Sequence, residues 1–324
     1  MTRIIFCSLL LLIFGCSKNN EPLSPNGLEG LFEIYFLEDS SITGTQTTQM
    51  EIHQYTLKND PWLTNDDIQF YDFSSHCIYL KGDKSQFFEN DTGRYLLFTP
   101  FRVSQPFIVV ANKERCYIGS FHSLMLSTAP RGPYMDEFDI GCYPRDVMHI
   151  SKGWIDTVDI RSDSRIKNVL ISLGLYHGGI SVDLKSVNII ENADTSTVEY
   201  IFRIANIDHD NLYVIDPDRM GVDLFHYFTN GIVFRGDGIQ FQSMYKKVAT
   251  PSTSWDAAWF TEISVNSSIE RTVRLRGYPK LLPGKYRCDF TFSDPKVEKE
   301  NRYLSGGRIW LGSVVPSTVE TEIY

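Results

Sequence analysis

The chain has 324 residues, of which 42% are hydrophobic and 13% aromatic, and this composition excludes disorder along most of its length. Its 31 Lys and Arg residues against 40 Asp and Glu residues give a net charge of -9, so nucleic acid is not expected as a partner. The 22 glycines and 14 prolines follow average usage, which excludes collagen-like and low-complexity architectures.

The first 15 residues have the features of a bacterial secretory signal. Arg3 precedes an apolar run at residues 4–14. As a helix this run rises about 16 Å, too short to span a hydrocarbon core of about 30 Å. The segment Ile13-Phe14-Gly15-Cys16 resembles the lipobox of bacterial lipoproteins, although Phe14 replaces the small or hydroxyl residue that the motif prefers. The resemblance implies that residues 1–15 are a signal peptide and that Cys16 is acylated. The alternative is an ordinary signal peptide with a chance cysteine.

Residues 16–27 are polar and rich in turn-forming residues, which predicts a flexible tether. A lipobox followed by such a tether resembles the outer-membrane lipoproteins of Bacteroidota. The resemblance implies a location in the cell envelope, at the outer membrane, with the periplasmic or surface face left open. Because the protein is acidic, we expect the acyl chains rather than the protein surface to hold it on the membrane.

Residues 28–180 are predicted to form an α+β domain in which β-structure dominates. Apolar and aromatic runs predict strands at residues 31–37, 68–73, 77–80, 106–110 and 115–118, with the last two forming a hairpin. One helix is predicted over residues 163–173, because Ile166, Val169, Leu170 and Leu173 fall on one face. Ser162 or Asp163 can cap its start, and Gly174 follows its end. Residues 125–146 contain three prolines and predict a long loop.

Residues 181–324 are predicted to form an immunoglobulin-like β-sandwich, so that the whole chain is mainly β. Short strand-like runs recur between turn residues, at 181–190, 198–204, 212–215, 224–228, 232–234, 239–245, 260–265, 272–275, 286–292 and 309–315. The segment Gly284-Lys285-Tyr286-Arg287-Cys288 resembles the start of strand F in immunoglobulin domains, where the tyrosine hydroxyl bonds a nearby backbone group. The resemblance has two departures. No cysteine lies near residues 200–204, where the disulfide partner would be, and Tyr213 lies near the place of the strand C tryptophan.

Four cysteines remain beside Cys7 in the signal peptide and Cys16: Cys77, Cys116, Cys142 and Cys288. The first three allow one disulfide, whose pairing stays open. Cys288 alternates with aromatic residues on one strand face, which predicts a buried, reduced thiol. The sequence has no C-x-x-C pair and no histidines at ligand spacing, so we expect no metal site and no cofactor.

Two acidic loops flank the predicted strand 212–215. They are Asp208-His209-Asp210-Asn211 and Asp216-Pro217-Asp218, and their oxygens are of the type that calcium prefers. Because the loops should lie at opposite ends of the strand, solvated turns are the simpler interpretation. Arg235-Gly236-Asp237 is likewise expected to be a hairpin turn rather than an adhesion motif.

The best ligand-binding candidates are Trp255, Asp256 and Trp259. Two tryptophans in a polar segment could stack on sugar rings, and Asp256 could bond sugar hydroxyls. The alternative is that one or both tryptophans cover the core of the domain. No catalytic residue is predicted, because the chain has no G-x-S-x-G, H-E-x-x-H or phosphate-binding glycine motif.

These observations predict a membrane-anchored, non-catalytic lipoprotein that binds glycan or protein in the cell envelope. Its partners would be the membrane, through the lipid, and a glycan or envelope protein. One alternative is an unrecognised envelope hydrolase, which a cleft of acidic residues would favour. A second is a proteinase-inhibitor-like or assembly module, which a rigid protruding loop around residues 130–145 would favour.

Overall fold

The computed structural model shows a mainly β protein, as predicted. It describes residues 30–47, 50–88, 104–123, 129–136, 142–153, 158–236, 238–244, 255–295, 303–316 and 318–323. Of these residues 47% lie in strands and 16% in helices. The predicted signal peptide, Cys16 and the tether lie outside the described residues. No helix in the described part of the chain is long and apolar enough to cross a membrane.

The first half of the chain builds two sheets. Its strands are β1 (Phe32–Phe36), β2 (Leu63–Thr64), β3 (Ile68–Asp72), β4 (Cys77–Leu80), β5 (Pro106–Ala111), β6 (Glu114–His122), β7 (Tyr134–Asp136), β8 (Val147–His149) and β9 (Tyr176–His177). One sheet has the order β2-β1-β5-β6-β7 and the other β8-β4-β3-β9. The predicted hairpin is the β5–β6 pair, and Asn112 and Lys113 turn it with φ angles of 50° and 68°.

The second half builds three larger sheets and one small one. Its strands are β10 (Ile180–Glu191), β11 (Thr195–Asn206), β12 (Leu212–Ile215), β13 (Ile232–Gly236), β14 (Ile239–Phe241), β15 (Phe260–Ile263), β16 (Ser268–Pro279), β17 (Gly284–Phe290), β18 (Phe292–Ser293), β19 (Tyr303–Leu304), β20 (Gly307–Ile309), β21 (Ser313–Val314) and β22 (Val319–Ile323). The strand orders are β10-β11-β16, β15-β12-β20-β19, β14-β13-β17-β22 and β18-β21.

Aromatic side chains pack two of these sheets against each other. On β11 every second residue from Ser196 to Asn206 is buried. Tyr200 and Phe202 of this strand lie with ring centroids 5.4 and 5.2 Å from that of Phe290 on β17. The period-2 burial and these contacts define a two-layered core. The immunoglobulin-like topology of residues 181–324 stays a prediction.

The tyrosine-corner interaction expected at the start of β17 is present. The Tyr286 hydroxyl donates a 2.9 Å hydrogen bond to the backbone oxygen of Leu282. The bond spans four residues and fixes the chain where it enters the strand.

The helices are short. They are α1 (Ser85–Phe88), α2 (Ser164–Ser172), α3 (Pro217–Met220) and α4 (Val222–Thr229), with 3₁₀ turns at Ile52–Gln54, Asn65–Asp67, Ile160–Ser162 and Ala257–Trp259. Helix α2 is the predicted one. Asp163 caps it by accepting a bond from the Arg165 amide, and Gly174 follows it with a φ of 68°.

Two local predictions are wrong. Residues 224–228, predicted as a strand, lie in α4, because a short apolar run does not distinguish a strand from a buried helix. The helix signals are Gly221 before it and Asn230 after it, the latter left-handed with a φ of 60°. The loop predicted over residues 125–146 contains β7, which pairs in parallel with β6.

The predicted domain boundary at residue 180 falls at the start of β10. Core residues on the two sides of this position are in contact, since Phe70, Cys77 and Tyr79 belong to the hydrophobic cluster of the second half. A separate cluster under β1 and β5 includes Ile166, Val169 and Leu170 of α2. Whether residues 181–324 fold alone stays a prediction.

Each of the four described cysteines is a free thiol. Cys288 is fully buried on β17, on the same face as Tyr286 and Phe290. Burial raises the pKa of its thiol to about 12, with a smaller contribution from the charge of Asp289.

We expect Cys288 to resist alkylation in the folded protein, because a buried, protonated thiol is a poor nucleophile. Peptide mass spectrometry after iodoacetamide treatment measures this, with the protein in denaturant as the control in which the thiol reacts. Replacing it in Cys288→Ala should cost about 1 kcal/mol of unfolding free energy, since one sulfur atom and no crosslink is lost. A disulfide-linked peptide containing Cys288 under non-reducing conditions would contradict the assignment.

Candidate functional site

A group of buried charges lies where sheets from the two halves of the chain meet. In the first half, β3 and β9 run in parallel, and their pairing places Asp72 opposite His177. In the second half, β12 and β20 run in parallel, and Arg308 lies opposite Leu212, just after the acidic loop 208–211. Backbone pairing of four strands therefore sets the positions of these charged side chains.

Arg308 is the centre of the group. Its side chain is fully buried, and its guanidinium nitrogens lie 2.8 Å from Oδ2 of Asp72 and 2.9 Å from Oδ2 of Asp208. Both carboxylates are fully buried as well. Arg308 also donates a 3.2 Å hydrogen bond to the Tyr79 hydroxyl. One cation is thus held by one carboxylate from each half of the chain.

Aromatic rings cover the arginine. Phe70 and Tyr79 stack with ring centroids 4.0 Å apart, and the guanidinium carbon of Arg308 lies 5.2 and 5.4 Å from them. A planar guanidinium tolerates such an environment better than an ammonium group, since it is more weakly hydrated and stacks on rings.

Asp208 connects the buried arginine to the surface. Its Oδ1 accepts bonds from His177 Nδ1 (2.9 Å) and from the backbone amides of His209 (2.7 Å) and Asp210 (3.1 Å). Its Oδ2 accepts bonds from Arg308 and from the Gly179 amide (2.9 Å each). Five donors saturate this carboxylate, so it is committed to holding its neighbours.

The pKa values follow from this arrangement. Burial by itself would raise the pKa of Asp208, but the hydrogen bond from His177 and the charge of Arg308 outweigh it and hold the pKa well below its usual range. Burial alone would lower the pKa of Arg308, and the carboxylate of Asp72 leads the interactions that raise it instead. A depressed folded-state pKa means that ionised Asp208 stabilises the fold above about pH 4, and that this contribution is lost as the pH falls further.

Gly179 is required by the close approach of its backbone to Asp72 and Ser74. Its φ is 69°, and a side chain there would place Cβ within 2.4 Å of Oδ1 of Asp72, closer than real contacts allow. The glycine lets the chain turn beside Asp72 and present its amide to Asp208.

At the surface the group ends in two imidazoles and a carboxylate. His177 is 9% exposed, and its ring centroid lies 4.3 Å from Phe70 and 4.0 Å from His209. The side chains of His209 and Asp210 are 64% and 45% exposed. One nitrogen or oxygen atom from each of His177, Asp208, His209 and Asp210 lies within 4.8 Å of the others.

Sequence reasoning found part of this site. The loop 208–211 was a candidate, but its description as a solvated turn is wrong for Asp208, which is buried by its ion pair. His177 and Arg308 were missed, because their strands are joined to the loop only by the fold. One signal was available for Arg308, a charged residue next to the apolar run Ile309-Trp310-Leu311.

The second acidic loop is also structural. Asp216 is buried and bonds the guanidinium of Arg271 through both oxygens, at 2.7 Å each. It caps α3 by accepting a bond from the Asp218 amide. The structure does not bring this loop and the loop 208–211 together, since they lie at the two ends of β12, as predicted.

The predicted ligand-binding residues Trp255, Asp256 and Trp259 lie just before β15. Both tryptophans are half-buried: Trp255 packs edge-on against Phe260 at 5.5 Å, and Trp259 lies 6.1 Å from Phe228. Asp256 is exposed and caps the turn Ala257–Trp259 through the Ala258 amide. Each tryptophan therefore contacts the core and keeps part of its surface exposed.

A serine–histidine pair lies in the first half. The Oγ atom of Ser162 is 3.4 Å from Nε2 of His76, whose Nδ1 is 3.1 Å from the Tyr71 hydroxyl. Burial, followed by the charge of Arg161, holds the pKa of His76 well below its usual range. Such an imidazole is a weak general base, because a base works best with a pKa near the working pH.

In comparisons with known proteins, no family model matches the chain and no curated protein matches it.

We expect Arg308→Leu to lower the free energy of unfolding by about 3–5 kcal/mol, because it leaves two buried carboxylates without their counter-charge. The matched control is Arg287→Leu, which removes an arginine that is 54% exposed and paired with Asp289 at 3.0 Å. That change should cost less than about 1 kcal/mol. Urea unfolding followed by fluorescence measures the unfolding free energy of both variants. Equal losses in the two variants would contradict the central role of Arg308.

Proposed function

We propose that the protein is a membrane-anchored, non-catalytic lipoprotein that binds glycan or protein in the cell envelope, at the outer membrane. The single observation that carries the proposal is the lipobox-like segment Ile13-Phe14-Gly15-Cys16 after a short apolar run and before a polar tether. The acyl chains on Cys16 would hold the chain at the membrane, and residues 16–27 would give the folded part room to reach a ligand.

The use of the buried carboxylates supports a binding role over hydrolysis. A glycoside hydrolase needs two carboxyl groups facing each other across roughly 5–10 Å with a substrate between them. Asp72 and Asp208 are occupied by the same arginine, and Asp216 is occupied by Arg271. In the part of the chain that the structure describes, these acids hold the fold together and are not free to act on a substrate.

The segment Trp255–Trp259 is the proposed glycan contact. Its tryptophans are fixed on one side by Phe260 and Phe228 and are partly exposed on the other. A ring held in place loses little entropy on binding, which suits stacking on a sugar. One carboxylate oxygen of Asp256 accepts the hydrogen bond from the Ala258 amide that caps the turn. Because the residue is exposed, its second oxygen could accept a hydrogen bond from a sugar hydroxyl.

The anchor is tested with Cys16→Ala. Because the thiol of Cys16 is the proposed acylation site, the variant should lose palmitate labelling and leave the membrane fraction, whereas Cys116→Ala, at a half-buried thiol, should stay there. Metabolic labelling and membrane fractionation measure both properties. Continued labelling of Cys16→Ala would rule out the anchor.

The binding segment is tested on a glycan array with Trp255→Ala and Trp259→Ala. Losing one stacked ring should weaken a bound glycan at least about tenfold, equivalent to about 1.4 kcal/mol. Tyr303→Ala is the matched control, since Tyr303 is a 49% exposed aromatic residue elsewhere. Circular dichroism checks that each variant is folded. Unchanged binding by both tryptophan variants, or an equal loss in the control, would exclude this segment.

A further inference from the structure

The exposed end of the Arg308 group has no role in the proposed function, yet it gathers the side chains that bind transition metals best. We propose that His177, His209 and Asp210 bind one divalent metal ion of the zinc class, with Asp208 holding His177 in position. The proposal is independent of the lipid anchor and of the tryptophan segment.

The side chains are close enough to converge on a single ion. One nitrogen or oxygen atom from each of His177, Asp208, His209 and Asp210 lies within 4.8 Å of the others, and the two imidazole centroids are 4.0 Å apart. Zinc binds nitrogen and oxygen ligands at about 2.0–2.2 Å, so neighbouring ligand atoms in a tetrahedral site lie about 3.3–3.5 Å apart. His209 and Asp210 are exposed, and rotation of their side chains can close the remaining gap.

Asp208 prepares His177 as a ligand. The carboxylate of Asp208 accepts its other four hydrogen bonds from N–H groups, so Nδ1 of His177 donates the 2.9 Å contact as well. Nε2 of His177 is then the ring nitrogen left to bind an ion. A carboxylate that orients a histidine through its second nitrogen is the usual outer-shell partner in zinc sites.

The site is rigid on one side and open on the other. Phe70 packs on the His177 ring, while Asp208 fixes the backbone of the loop through the amides of His209 and Asp210. The loop ligands face solvent, which leaves an entry path for the ion. Three protein ligands leave a fourth position for water or for an atom of a bound partner.

The ligand types decide which ion is expected. Two imidazoles and one carboxylate favour zinc, copper or nickel, whereas calcium takes six to eight oxygens. The sequence hides this set because His177 on β9 and the loop 208–210 lie about 30 residues apart and are brought together only by the fold.

The test is calorimetric titration of the full chain, purified in detergent and freed of metal with a chelator. We expect one Zn²⁺ per chain and no comparable heat with Ca²⁺. His209→Ala and Asp210→Asn should each weaken zinc binding at least tenfold, and both are safe for folding because their side chains are exposed. The matched control is His53→Ala, an exposed imidazole on the turn Ile52–Gln54, which should leave the affinity unchanged.

A second readout is thermal unfolding. Saturating Zn²⁺ should raise the midpoint of the wild type and of His53→Ala, but not that of the double variant His209→Ala/Asp210→Asn, because an ion that binds only the folded state stabilises it. The proposal is overturned if the wild type binds no zinc, if the double variant binds it as tightly, or if His53→Ala loses as much affinity as His209→Ala.

Discussion

Arg308 lies in the interior of the fold, where a charge is strongly destabilising unless it is fully compensated. Its guanidinium is fully buried, and its two carboxylate partners come from opposite halves of the chain, Asp72 at the end of β3 and Asp208 before β12. Removing water from three charged groups costs several kcal/mol for each of them, so the arrangement is favourable only when all three meet. The first and second halves must therefore dock in one relative position for any of these charges to be satisfied.

This requirement determines how the two halves dock more than it determines the total stability of the fold. A buried ion pair is often no more stabilising than apolar residues of the same volume, while a buried charge left alone is strongly destabilising. The aromatic cores on either side supply the favourable free energy, and they accept many arrangements of apolar side chains. The arginine excludes arrangements in which the halves are shifted. Gly179, Ser74 and Trp310 reinforce the same junction: Trp310 Nε1 donates a 2.9 Å bond to the Ser74 hydroxyl.

The two proposed binding regions are linked through β12. The loop 208–211 enters this strand beside the buried arginine, and Asp216 leaves it and donates a 2.9 Å backbone bond to Trp259. Four residues of strand span only about 13 Å. The proposed zinc-class site and the tryptophan segment therefore lie at the two ends of one short strand that pairs with the strand of Arg308, and we expect a change at the arginine to affect both.

Local patterns in the sequence predicted much of the secondary structure. Alternation on β11, the cap and trailing glycine of α2, the Tyr286 corner and the buried thiol of Cys288 all depend on residues close together in the chain, and all are present. The same locality explains the errors. The apolar run 224–228 is too short to show a period, so only its flanking Gly221 and Asn230 distinguish a helix from a strand. The anchor at Cys16 and the immunoglobulin-like topology stay predictions of the sequence alone. The tertiary structure decided the candidate site. His177, Asp208 and Arg308 come from two strands and a loop that are far apart in the chain. Their positions depend on strand pairing and burial, which hydrophobic period and residue spacing do not reveal.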